Sequence, residues 1–295
     1  MAGTTRTTPD AEGYALAYER AGRGRPVLPL HGWPGDRGDW AAVAHLLAEA
    51  GRADVVWPDL RGFGESDRHP GGDVAAAGQA GGVLALLDEL GLARAVVAGY
   101  DVGSRVAQTL AAEHPDRVAA LVVAPPLPGA GRRVLEPAAA AEFWYQHFHR
   151  LGLPEQVVDG RPDAVRAYLR HFWDHWSGPD FTVEEERLDR LTALYSPPGA
   201  FTASIGWYRS GSGTIARSLA EEPPARRVAV PTTVLWPEHD PLFPRAWSDR
   251  LDDWFEKVDL RPLDGVGHFS PVEAPDRWAA VLTEVVDGLA DGTRR

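Results

Sequence analysis

Three apolar runs in the first third of the chain, at 27–30, 54–57 and 95–98, each end in a glycine-rich turn and lead into residues with helical spacing of apolar side chains. The turns read His31-Gly32-Trp33-Pro34-Gly35, Pro58-Asp59-Leu60-Arg61-Gly62-Phe63-Gly64 and Gly99-Tyr100-Asp101-Val102-Gly103. Strand, turn and helix in repetition is the pattern of a parallel sheet covered by helices, an α/β architecture. The predicted helices span 40–50, 74–90 and 103–113, the last closed by His114-Pro115, and further strands are expected at 14–18 and 118–124. Pro29 is discordant, because inside a buried strand it forfeits a ladder hydrogen bond.

The cluster Pro125-Pro126-Leu127-Pro128-Gly129 ends this regime. From 130 to 225 helical periodicity replaces the alternation, and aromatic residues gather, among them Phe143, Trp144, Tyr145, Phe148, Tyr168, Phe172, Trp173, Trp176, Trp207 and Tyr208. Alternation resumes with a strand at 232–236, a helix at 251–254, a strand at 258–260 and a helix at 278–289. The expected organisation is one α/β core, 1–129 plus 226–295, interrupted by a helical cap at 130–225.

With 42 acidic against 30 basic residues, a net charge of −12, the chain repels polyanions, so neither nucleic acid nor an anionic membrane is an expected partner. It has no cysteine, which removes disulfides, thiol catalysis and Cys-ligated metal. Residues 1–10 are polar, and no run approaches the roughly 18 apolar residues of a membrane span. A soluble, cytoplasmic protein is the expectation.

Gly99-Tyr100-Asp101-Val102-Gly103, between a strand and a helix, has the context of a nucleophile elbow, a sharp turn that lifts one side chain above the sheet edge. Here that side chain is a carboxylate, at a helix N-terminus that favours its charge. An Asp in this place also serves as an ordinary N-cap. A serine elbow is excluded, since no G-x-S-x-G occurs. Upstream, His31-Gly32-Trp33-Pro34 offers a backbone amide that, with that of Val102, would make an oxyanion hole. Downstream, Asp240 follows one predicted strand and His268 follows the next, so nucleophile, acid and histidine come in the order 101, 240, 268. In that arrangement Asp240 orients His268, and His268 deprotonates water. His171 and His175, one helical turn apart, lack a third partner at metal-binding spacing, and the Gly62-x-Gly64 pair lacks the third glycine of a dinucleotide loop, so neither metal nor cofactor is expected.

Taken together, His31-Gly32-Trp33-Pro34, the segment 59–67, the elbow with Asp101, Asp240-Pro241 and Gly267-His268-Phe269 resemble the α/β-hydrolase-fold enzymes of the epoxide hydrolase and haloalkane dehalogenase branch, over nearly the whole chain. The resemblance implies a mostly parallel sheet flanked by helices with a helical cap, and a substrate ester formed on Asp101. Epoxide hydrolases of this kind place two cap tyrosines on the ring oxygen. The segments Phe143-Trp144-Tyr145-Gln146 and Gly206-Trp207-Tyr208-Arg209 are similar to the two that carry them, which implies those roles for Tyr145 and Tyr208. Trp33, Trp144, Gln146, Trp207 and Phe269 are expected to line the site of a small, apolar or aromatic epoxide. Self-association into a homodimer is left open.

Two related activities depart from the sequence. Haloalkane dehalogenases carry a Trp directly after the nucleophile and an Asn after His-Gly, where this chain has Val102 and Trp33. Fluoroacetate dehalogenases carry two arginines after the nucleophile and a His-Trp in the cap. Of these only Arg105 is matched, and Tyr145-Gln146 stands in place of His-Trp. Many epoxide hydrolases have Phe at the place of Trp33 and Trp at that of Val102, which bears on substrate size more than on mechanism. Dehalogenation, and ligand binding without turnover, remain the alternatives.

Overall fold

The computed structural model describes residues 5–292. Eight strands form one sheet: β1 (Thr5–Arg6), β2 (Ala17–Gly22), β3 (Arg25–Leu30), β4 (Ala53–Pro58), β5 (Ala95–Gly99), β6 (Val118–Val123), β7 (Thr232–Pro237) and β8 (Val258–Leu263). Their order across the sheet is β1-β2-β4-β3-β5-β6-β7-β8. β2 is antiparallel to both its neighbours, and β3 to β8 pair in parallel. Every residue of β4, β5, β6 and β7 is buried, the signature of parallel strands covered on both faces. Helices α1 (Ala41–Glu49), α2 (Ala76–Glu89) and α3 (Asp101–Glu113) follow β3, β4 and β5.

Between β6 and β7 the chain is helical: α4 (Pro137–Glu142), α5 (Trp144–Arg150), α6 (Pro154–Val157), α7 (Pro162–Trp176), α8 (Glu185–Tyr195), α9 (Ala200–Ser204), α10 (Gly206–Arg209) and α11 (Thr214–Ala220). After β8 come α12 (Ser270–Glu273) and α13 (Pro275–Gly292); α13 packs on α1, and its Trp278 meets Trp40, just before α1, with ring centroids 4.9 Å apart. No helix of the described residues is long and apolar enough to cross a membrane.

Two expectations shift. The first long strand begins at Ala17 rather than 14, because the amides of Tyr14, Ala15 and Leu16 donate to side chains of Asp10, Asp67 and Thr7 instead of to a neighbouring strand. Of the segment 251–254, residues 251–253 end a 3-10 stretch, Arg245–Asp253, and Trp254 caps it, so no α-helix forms there. Pro29 is inside β3 as the pattern requires. Pairing with β4 covers only 25–27, so at Pro29 the strand has a ladder partner on the β5 side alone.

Candidate active site

The strand-end loops of β3, β5, β7 and β8 converge at one edge of the sheet, where α/β folds hold their ligands. Asp101, the first residue of α3, has φ 47° and is the one non-glycine residue with positive φ among the described residues. Left-handed backbone at a non-glycine residue stores about 1–3 kcal/mol and persists only where the surroundings impose it. Gly99 and Gly103 impose it. A methyl built on Gly99 would lie 2.4 Å from the Gly103 carbonyl oxygen, and one on Gly103 would lie 2.1 Å from that of Leu30. Strand, turn and helix therefore pack too closely for any side chain at either position.

The turn aims the carboxylate at the Trp33 amide and toward His268. The Trp33 amide donates to Asp101 Oδ1 at 2.7 Å, and Val102, whose amide follows in the first turn of α3, is buried beside it. His268 Nε2 stands 3.6 Å from Asp101 Oδ2, beyond hydrogen-bond length, and this nitrogen is buried with no partner. On the other side of the ring His268 Nδ1 meets Asp240 Oδ2 at 2.8 Å. Asp240 is fixed in turn, since its Oδ1 accepts from the Leu242 amide at 2.9 Å. Burial works against a charge on the imidazole, but the carboxylates of Asp240 and Asp101 outweigh it and push His268 up to about 10.

The helical segment between β6 and β7, which stands where the cap was expected, brings aromatic rings onto this site. Tyr145 on α5 and Tyr208 on α10 are buried, with ring centroids 5.5 Å apart, and both pack on Trp33, at 5.7 and 5.9 Å. Burial pushes both phenols well above their usual range; the charge of Asp101 adds to this in each, so both remain protonated donors near neutral pH. Trp176 meets the His268 ring at 5.0 Å. The Trp33 indole donates to Ser204 Oγ at 3.3 Å. Ala203, next to Ser204, lines a cleft of about 680 Å³ at the seam of core and cap, together with Gly62, Arg68, Val74, Pro198 and Gly206.

Four expected lining residues take other places. Trp144 is 42 % exposed, with its ring among Phe148, Tyr168, His171 and Phe172. Successive helix positions point about 100° apart, so with Tyr145 turned inward on α5, Trp144 turns out. Trp207, the neighbour of Tyr208 on α10, is buried, and Tyr208 is the one that meets the Trp33 ring. The Gln146 side chain is engaged within the cap: it donates to Tyr145 Oη at 3.1 Å and accepts from the Ile215 amide at 3.1 Å. Phe269 stacks on Trp173 at 3.7 Å and supports the His268 loop. His175 pairs with Glu142 at 2.7 Å, and no group of three metal-binding side chains occurs among the described residues.

Two further residues stand at the site that the sequence did not assign to it. His149 is wholly buried against Trp33 and Tyr208, both at 4.7 Å, and shares a 3.0 Å hydrogen bond with Tyr168; burial pushes its imidazole well below the usual value, so it is neutral. Glu273 accepts from the amides of Gly267, Phe269 and Gly178, at 2.7, 3.0 and 2.9 Å, and so ties the His268 loop to the turn after α7 of the cap. Only the i+4 spacing of His149 from Tyr145 hinted at a shared face.

A model of the alpha/beta hydrolase fold matches residues 25–275, and the chain belongs to that family. The soluble epoxide hydrolase of Corynebacterium sp. (strain C12) is 30 % identical over 272 residues, 89 % of this chain and 90 % of that one. The fluoroacetate dehalogenase of a Burkholderia species is 29 % identical over 284 residues, 92 % and 90 % of the two chains. The ligand-free structure of the epoxide hydrolase CorEH superposes with a TM-score of 0.83 at 25 % identity, over 98 % of this chain and 100 % of that one. The protein is thus an epoxide-hydrolase-like α/β hydrolase whose relatives also include dehalogenases.

Proposed function

We propose that the protein is an epoxide hydrolase that converts an epoxide to a vicinal diol through an ester on Asp101, without metal or cofactor. The observation that carries this reading is the pair of buried phenols, Tyr145 and Tyr208, packed on Trp33, whose amide holds the carboxylate of Asp101 at the elbow.

A carboxylate can attack an sp³ carbon without prior deprotonation. Asp101 Oδ2, which takes no part in the Trp33 hydrogen bond, is the attacking oxygen, and Oδ1 becomes the ester carbonyl already seated on the Trp33 amide. As the C–O bond of the ring breaks, its electron pair moves to the ring oxygen, which takes a proton from the tyrosine pair. His268 in its neutral form then removes a proton from water, and the hydroxide adds to Cγ of Asp101. The oxyanion so formed is held by the Trp33 and Val102 amides. Collapse expels the second alcohol oxygen as the diol, carrying the remaining proton of the water, while the proton on His268 restores the tyrosine. Esterification also erases the charge of Asp101, one of the two carboxylates that hold His268 protonated, so the ring becomes a better base in the half-reaction that uses it.

Other leaving groups are less well served. Val102 supplies no side-chain N–H for a halide. Arg105, the one arginine that could bind a haloacid carboxylate, is held by Glu221 at 2.9 Å and by the Leu127 carbonyl at 3.3 Å. The test is a panel of styrene oxide, a haloalkane and fluoroacetate, read for diol and for free halide. Diol from the epoxide is the expected result. Halide without diol refutes the proposal in favour of dehalogenation, and binding with no product refutes it in favour of a receptor.

A further inference from the structure

Helix α8 of the cap also reaches the stretch 35–39, which continues the oxyanion loop. Arg187, on α8, donates through Nη1 to Asp39 Oδ1 at 2.9 Å, and the other oxygen of Asp39 accepts from Tyr100 Oη at 2.7 Å. Tyr100 is the residue before Asp101. Its ring lies directly under the oxyanion loop, so that a methyl built on Gly32 would come within 2.9 Å of it and within 2.6 Å of Asp101 Cβ. Two more contacts from α8 reach the same loop: Arg190 pairs with Asp36, and Tyr195 Oη donates to the Gly35 carbonyl at 2.7 Å. The Arg187 guanidinium also lies over Trp173, 5.4 Å from the ring centroid, and Trp173 is the ring stacked on Phe269 beside the histidine.

One cationic side chain of the cap is therefore linked to both catalytic loops through one intervening residue each, Asp39 to Tyr100 and Trp173 to Phe269. We infer that Arg187 is a positioning residue for ester hydrolysis: through Asp39 and Tyr100 it fixes the oxyanion loop, hence the Trp33 amide, against the carbonyl of esterified Asp101. The inference rests on the hydrolytic reading above.

Asp39 is wholly buried, and burial pushes its carboxyl up to about 6 despite the opposing pull of Arg187. Without the arginine the buried carboxyl takes up a proton, and its hold on Tyr100 changes from a charge-assisted bond to a weaker neutral one. The loop then loses its register with the elbow. Displacements near 1 Å in such a site cost about 10²-fold in rate. The loss falls on the step that develops charge on the ester carbonyl, whereas attack by Asp101 on the epoxide develops its charge at the tyrosines.

The experiment compares the parent with Arg187→Met, Arg187→Lys, Asp39→Asn and the Met/Asn double variant, on styrene oxide, with folding checked by circular dichroism and melting. Expected for Arg187→Met is a fall in kcat of roughly 10- to 100-fold, with KM falling in step, kcat/KM nearly kept, and the alkylated enzyme accumulating by intact mass. Arg187→Lys regains most of kcat. Asp39→Asn behaves like Arg187→Met, and the double variant is no slower than the slower single one. Unchanged kcat, a loss shared equally by kcat/KM with no ester accumulating, or additive losses would each overturn the inference. Should Arg187→Met unfold, Asp39→Asn carries the same readout. No diol from the parent itself overturns the reading on which the inference stands, an outcome distinct from an active parent with indifferent variants.

Discussion

Replacing the two cap tyrosines by phenylalanine separates ring opening from ester hydrolysis. Tyr145 and Tyr208 pack against each other and on Trp33, so phenylalanine preserves the aromatic packing and removes only the hydroxyls. A hydrogen bond to a charged group contributes about 1.5–3 kcal/mol. If each phenol supports the developing alkoxide by that amount, each single substitution slows alkylation roughly 10- to 150-fold, and the pair roughly 10²- to 10⁴-fold. The two sites differ in a second respect. In Tyr145→Phe the amide of Gln146 loses the oxygen to which it donates at 3.1 Å, and an unsatisfied buried donor destabilises by about 1–3 kcal/mol. Tyr145→Phe is therefore expected to melt at a lower temperature than Tyr208→Phe. Rapid-quench single turnovers on styrene oxide, followed by intact mass, give the alkylation and hydrolysis rates separately. Alkylation should slow while decay of the ester stays near the parent value. A double variant alkylated as fast as the parent would refute the role assigned to the phenols.

Three further outcomes are expected. His268→Gln should be alkylated yet fail to release product, leaving protein heavier by the mass of one substrate; steady diol formation by this variant would contradict the base assignment. His268 is raised from 6.5 to about 10 in the folded protein, so the stability it contributes is full below about pH 6.5 and is lost as pH rises through about 10. Melting curves of the parent should show that loss across the window, and His268→Gln should lack it; identical slopes would refute the linkage. Gly103→Ala forces a methyl to within 2.1 Å of the Leu30 carbonyl oxygen, backbone that cannot step aside, and should destabilise by about 1–3 kcal/mol. An unchanged melting temperature would contradict that packing.

The core was legible because its signals are local. β3, β4 and β5 end in turns whose glycines are needed for close packing, and the parallel sheet follows from their repetition. Asp101, Asp240 and His268 were legible as candidates for the same reason, each standing just after a strand, and the structure brings them together at one sheet edge. Other features depend on meetings between distant segments and left no pattern to read. The late start of β2 is decided by Asp67 reaching back to the Ala15 amide across 52 residues. Trp144 faces outward because its neighbour faces in, a choice of helix rotation that an aromatic-rich segment does not reveal. Gln146 serves Tyr145 rather than a ligand because the Ile215 amide, 69 residues later, fixes its orientation. Arg187 and Asp39 are 148 residues apart, and in the sequence each is one charge among many.

The most direct measurement follows oxygen through a single turnover. With enzyme in excess over styrene oxide in water enriched in ¹⁸O, the Asp101 carboxylate should gain label, found in the peptide that carries it, and the diol of that first turnover should be unlabelled. Label in the diol with none at residue 101 would show that water attacks the epoxide directly, and the covalent account would be wrong.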